Sequence, residues 1–327
     1  MKTGRQKGMA LIIVLMVLAI MVLLASSMTE RLTLSLKRTQ GVMLSQGSYW
    51  YAQATTELAK MILENDFSSE ERVSLDQDWA TPDTVFPLEN GNIRGTIKDM
   101  RSCFNINAIA KQDKDEVRAE GVQQLQRLLE ALDVDDYSAE TIADSTRDWI
   151  DADTDSLAAQ GAEDSFYEGL SVAHLTANEL MIDISELRAV RGVSQNIFAK
   201  IAPYLCAIPS ATQRINVNTV PVDQPEILYA LFPESLNLSI RDFEQLLENR
   251  SDSGWANVDA FLAEDTFSSS ASNISAQLKS QLSVKSEFFQ LNGIVQFAER
   301  LLKIKLLFKM ENQKAYTIRY QSSGLGS

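Results

Sequence analysis

No acidic residue occurs before Glu30, and no charge of either sign lies between Met9 and Ala25. That run of seventeen residues is at the lower limit for a membrane span, which needs about 17–25. Lys2, Arg5 and Lys7 precede it. A cationic head of this kind stays on the cytoplasmic side while the bulk of the chain is exported. Histidine is equally scarce: His174 stands alone, with no Ser or Cys partner motif. No Walker loop, dinucleotide fingerprint or zinc-ligand spacing appears either. Catalysis therefore finds no support, and His174 reads as structural. Basic residues are outnumbered 30 to 44, for a net charge of −14, or −17 without the three leading cations. So acidic a chain repels phosphate backbones and is a poor partner for nucleic acid. Cysteine is confined to Cys103 and Cys206. In an oxidising compartment these can close a loop of about 100 residues, worth about 4–5 kcal/mol in the chain-entropy account. The alternative is a pair of buried free thiols.

From Ser26 to about Asn65 there is no proline and no glycine cluster. Leu32, Leu36, Met43, Leu44, Trp50, Tyr51, Ala54, Leu58, Met61 and Ile62 recur near a 3.6 period, so the span and this stretch are predicted to form one long helix. Its aromatic cluster, Tyr49 to Tyr51, is expected to pack against a sheet. Residues 78–87 read as a loop by their Pro and Asp content. Residues 91–98 alternate as a strand, and Cys103 to Ile109 is expected to continue or pair with it. Helical patterns follow at 114–132, 138–150, 176–191, 194–205, 223–231, 239–249 and 256–263. Three strands are then predicted over 286–297, 301–310 and 315–321, with a Ser/Gly-rich tail from Ser322 expected to be disordered. Strands from both ends of the chain thus flank a helical block of about 170 residues.

Gly8 is the small residue at which a cut would fall, and it lies before the apolar run rather than after it. A secretory signal peptide has the opposite order. This arrangement resembles the class III leader of type IV pilins and type II secretion pseudopilins. Such leaders are cut by a prepilin peptidase on the cytoplasmic side, and the new N-terminus is then methylated. Gly8 would be the last leader residue and Met9 the first of the mature chain. An ordinary signal anchor is the alternative. Pilin-like subunits usually carry a glutamate at mature position five, which neutralises the terminal ammonium of the subunit ahead. Here that position is Ile13. An unpaired charge in the bilayer is costly, so a subunit without this carboxylate suits a place with no neighbour ahead.

The acidic run from Arg147 to Tyr167 holds Asp148, Asp151, Asp153, Asp155, Glu163 and Asp164. Asp151, Asp153 and Asp155 give the D-x-D-x-D opening of a calcium loop. Ser156 and Ala162 occupy the positions where an EF-hand needs Gly and Glu, so an EF-hand is excluded. A calcium site of other geometry, closed by Glu163 and Asp164, competes with a plain solvated acidic loop. Residues 186–201 look like a helix-hairpin-helix unit, as do 215–220 with 227–231 and Glu248 to Arg250. Their turns offer only one glycine, Gly192, to a phosphate.

Taken together, the leader, the missing position-five acid and the Asp-Trp-Ile-Asp-Ala-Asp block resemble the K-type minor pseudopilins of type II secretion (general secretion pathway protein K). So do the Cys-Phe-Asn-Ile-Asn segment and Ile215-Asn-Val-Asn-Thr. The resemblance implies an α/β pilin-like fold, a long N-terminal helix on an antiparallel sheet, with a large all-α insertion domain. Its units would be the leader 1–8, a membrane helix 9–25, the first part of the pilin-like domain 26–112, the insertion 113–284, and C-terminal strands and tail 285–327. It further implies an inner-membrane protein with a periplasmic domain, bound calcium, and a place at the tip of the pseudopilus. The implied partners are the I-, J- and H-type minor pseudopilins, the major pseudopilin and the prepilin peptidase, with no enzyme activity. Two readings stand beside it: a tip pilin of a type IV or DNA-uptake filament, and a secreted hydrolase on a signal anchor.

Overall fold

The computed structural model describes residues 9–69, 72–82, 84–110, 118–156, 159–268, 270 and 273–325. The leader, with Gly8, lies outside them. One helix, α1, runs from Met9 to Ser69, about 90 Å at 1.5 Å per residue. Its first part touches nothing: the apolar side chains from Met9 to Leu24 are exposed, and the helix is long and apolar enough to cross a membrane. Only its last turns pack on the protein. There the buried face is built from small and polar residues, Ser48, Ala52, Thr55, Thr56 and Ala59, before Leu63.

The sheet explains that choice. Strands β1 (Thr84–Leu88) and β2 (Gly91–Asp99) precede the insertion. Short β3 (Phe104–Asn105), β4 (Leu205–Cys206), β5 (Ile215–Asn216) and β6 (Leu282–Ser283) lie within it. Strands β7 (Phe288–Phe297), β8 (Arg300–Glu311) and β9 (Lys314–Leu325) follow. The main sheet has the order β1-β2-β7-β8-β9, and every neighbouring pair is antiparallel. Phe289, Leu291 and Val295 of β7 and Ile304, Leu306, Phe308 and Met310 of β8 face α1 in one core. Their bulk lets a helix of small residues lie close to the sheet.

Pairing of β2 with β7 means the chain leaves the sheet at Asp99 and re-enters at Phe288. Between them lie α2 (Glu120–Ala131), α3 (Asp136–Ile150), α4 (Asp164–Tyr167), α5 (Gln195–Ile201), α6 (Glu226–Tyr229), α7 (Ile240–Glu248), α8 (Val258–Leu262) and α9 (Ala276–Gln281). They enclose a separate core that includes Phe104, Leu125, Leu128, Ile142, Trp149, Phe243 and Phe261.

Several local expectations need correction. Residues 84–88 form edge strand β1, not loop, because alternation outweighs the single Pro87 at an edge. Cys103 to Ile109 does not join the main sheet. Phe104 and Asn105 pair in parallel with Leu205 and Cys206, and Phe104, Ile106 and Ile109 enter the insertion's core. That core therefore takes in residues placed above in the unit 26–112. The helix expected over 176–191 shrinks to a 3-10 turn at Ile184–Ala189, capped by the Asp183 carboxylate. The tail remains in β9 as far as Leu325. On α1, Leu32, Leu36, Met43, Trp50 and Met61 are exposed. Of the three aromatics only Tyr51 turns inward, its ring 4.8 Å from that of Phe297, while Tyr49 and Trp50 face out.

Candidate functional site

Helix α3 presents the acidic run. Asp135 caps its N-terminus by accepting from the Ser138 amide, and buried Asp144 pairs with Arg118 at 2.7 Å. At the far end the chain turns through Asp151, whose Oδ2 accepts from Arg147 Nε at 3.0 Å. The loop then returns Glu163 beside it. Carboxylate oxygens of Asp151, Asp153 and Glu163 come within 4.8 Å of one another.

Asp148 and Asp164 are engaged elsewhere. Asp148 Oδ2 accepts from the Ser156 hydroxyl at 3.1 Å. Asp155 offers its backbone amide to Asp153 Oδ1. Asp164 Oδ1 accepts from both the amide and the hydroxyl of Thr176, at 2.9 and 2.6 Å, so it ties the loop down and does not close the cluster. A carboxylate so bonded has its pKa lowered by the Thr176 hydrogen bonds. At Gly161 a Cβ would overlap Asp148 Oδ2 and Ser156 Oγ, so a larger residue there would displace that pair. Sequence reading missed Gly161 and Thr176 and took Ser156 only as barring an EF-hand; all three shape the loop. Only Gly161 carries a recognisable signature, a glycine two residues before the second pair of acids.

Both Glu163 carboxylate oxygens and Asp151 Oδ1 are buried without a hydrogen-bond partner among the described residues. Burial, reinforced by the charges of Asp148, Asp151, Asp153 and Asp164, pushes the Glu163 pKa up to about 7. Burial also raises that of Asp151. Unpartnered buried oxygens of this kind are costly. They are also the hard donors a divalent cation takes, so the donor set fits calcium.

Around this loop lies a structural aromatic group. His174 Nδ1 lies 2.9 Å from the Val172 carbonyl oxygen, and its ring packs 5.0 Å from Tyr167 and 5.9 Å from Trp149. The hairpin-like turn is engaged inward too: Arg191 donates to the Gly161 and Gln160 carbonyls and stacks over Phe166. Cys103 and Cys206 are joined as a disulfide, their Cα atoms 5.8 Å apart, at the root of the insertion. At the other end of the molecule, Met9 begins α1 and Ile13 lies on its exposed first turns.

A long apolar helix laid on an antiparallel sheet, with a helical domain inserted between two adjacent strands, defines a pilin-like subunit with an insertion. Two descriptions of type II secretion system protein K match at residues 102–210 and 215–285. Type II secretion system protein K of Aeromonas hydrophila is 36% identical over 98% of both chains. That of Klebsiella pneumoniae is 38% identical over 80% of each. A chain in the crystal structure of the GspK-GspI-GspJ complex from enterotoxigenic Escherichia coli superposes with a TM-score of 0.81 at 37% identity, covering 88% of this chain and 99% of that one. This chain belongs to the type II secretion system protein K family and is a minor pseudopilin.

Proposed function

We propose that the subunit caps the tip of the type II secretion pseudopilus and starts its assembly together with I- and J-type minor pseudopilins. The observation that carries this reading is the likeness, along most of the chain, to a protein crystallised as a GspK-GspI-GspJ complex. The missing acid at Ile13 supports a place with no subunit ahead. An insertion between β2 and β7 adds bulk that would stop another subunit stacking above it. The exposed apolar residues of α1 beyond the span, among them Leu32, Leu36 and Trp50, would be covered by the helices of partner subunits, with the H type and the major pseudopilin below.

On this reading the prepilin peptidase cuts after Gly8, and Met9 becomes the methylated N-terminus in the inner membrane. The remainder lies in the periplasm, and the filament pushes folded proteins through the outer membrane without chemistry in this subunit. Calcium would be held by Asp151, Asp153 and Glu163, where it supplies the charge that lets crowded carboxylates share one loop. The test is co-purification from membranes. The full chain should bring down its I- and J-type partners, and a Gly8→Ala variant should accumulate as uncut precursor. Normal maturation and secretion in that variant would sink the leader assignment.

A further inference from the structure

The face of the sheet turned away from α1 is basic, in a chain of net charge −14. Strand alternation places Arg94 and Lys98 of β2, Lys303, Lys305 and Lys309 of β8, and Arg319 of β9 on it. The register lines up Lys98, Gln290, Leu307 and Arg319 in one row across four strands. Where the insertion folds back over this face, a cavity of about 230 Å³ opens beside the Cys103–Cys206 disulfide. Lys98, Lys305 and Arg319 line it, with apolar walls from Met100, Ile184 and Pro203.

The cations are unequally satisfied. Lys305 is 2.6 Å from the Asp183 carboxylate. Arg319 gives one guanidinium N–H to the Ile182 carbonyl, which leaves the rest of its fork for a ligand. The Lys98 side chain makes no hydrogen bond to any described residue. Burial lowers its pKa although Asp99 and Asp223 favour its charge. Lys98 is half-buried on the cavity wall, so its ammonium stands available to an anion that enters the cleft.

The lining also selects the anion. Asp183 already stands in the cavity, so a single negative charge is favoured over a dianion. The planar guanidinium matches a carboxylate, and the apolar walls suit an aliphatic stem. Ile182, on the rim, is 61% exposed and offers further apolar contact. We propose that this cleft binds the carboxylate of an acidic side chain carried on an extended, apolar-flanked segment of a partner protein.

The test is calorimetric titration of the full chain in detergent with the blocked pentapeptide Ala-Leu-Glu-Leu-Ala, its Gln counterpart, and glutarate. The Glu peptide should bind, with the Gln peptide weaker by about tenfold or more, the effect of losing charge-assisted hydrogen bonds. Lys98→Gln and Arg319→Gln should each weaken the Glu peptide by about tenfold. Lys303→Gln, on the same face but outside the cavity, should leave it unchanged. Absence of binding at millimolar Glu peptide, or equal binding of the Glu and Gln peptides, would overturn the proposal. Glutarate binding as tightly as the peptide would overturn the assignment to a partner protein. The peptide comparison uses the native chain, so it decides the matter even where a variant fails to fold.

Discussion

Asp99 shows what one residue does in joining the two parts of the molecule. It ends β2, is completely buried, and its Oδ2 accepts from Thr219 and Ser286 hydroxyls at 2.6 Å and from Asn216 Nδ2 at 3.0 Å. Its Oδ1 accepts from the Arg101 amide at 2.7 Å. Burial raises its pKa while these bonds oppose the shift. Asp99→Ala would strand several buried donors. It is expected to cost about 3 kcal/mol or more in denaturant unfolding. Glu163 is the counterpart in the acidic loop, with neither oxygen partnered among the described residues. With calcium bound there as proposed, chelation should lower the melting temperature of the native chain, since a ligand at about 100 times its Kd stabilises by about 2.7 kcal/mol. In Glu163→Gln the calcium-dependent shift should shrink sharply, and an undiminished shift would remove Glu163 from the ligand set.

At the scale of elements, α1 and the sheet divide the work of a hydrophobic interface unevenly. The sheet supplies Phe289, Leu291, Leu306 and Phe308, and the helix supplies Ala52, Ala59 and Leu63. Close approach is sharpest at Gly47, where a Cβ would overlap the ring of Phe297. Gly47→Leu should therefore cost about 1–3 kcal/mol despite the better helix propensity of leucine, because overpacking outweighs propensity. Gly41 provides the comparison: its Cβ would meet only Arg300 Nη2 at 3.8 Å. Gly41→Ala should be neutral or slightly stabilising in the same thermal melts. A period-3.6 stripe marks a helix but does not say which face is buried. On α1 the large residues Leu36, Met43 and Trp50 remain exposed and the small ones are covered. Of the predicted stripe, Tyr51, Leu58 and Ile62 do lie against the sheet, while Leu36, Met43 and Trp50 do not, because the size of the opposing sheet residues as well as hydropathy decides which helix residues fit.

For the whole molecule, the covalent link between Cys103 and Cys206 closes the first half of the insertion near the point where it leaves the sheet. Cys103→Ser in a reducing-agent-matched comparison should lower stability by about 4 kcal/mol, the entropy released by opening a loop of about 100 residues. The sulfurs lie in an apolar cluster with Met100, Ile208, Phe288 and Leu307, so the loss should be felt on both sides of the junction. Unfolding monitored through the sheet and through the insertion should shift together.

The linear pattern alone determined the membrane helix, the strand-rich ends and the helical middle. Each depends on contiguous runs: seventeen uncharged residues from Met9 to Ala25, alternation over 288–310, and helical periodicity between them. It also marked the acidic loop, since Asp151 and Asp153 are neighbours in the chain. Only the tertiary structure decided that β2 pairs with β7 across 188 intervening residues, and that Glu163 rather than Asp155 or Asp164 completes the carboxylate group. Likewise, Lys98, Lys305 and Arg319 converge on one cavity only after the insertion folds back. The physical reason is the same throughout. Periodicity is a property of short segments, whereas burial, pairing partners and converging charges depend on which distant segments the closed chain brings into contact.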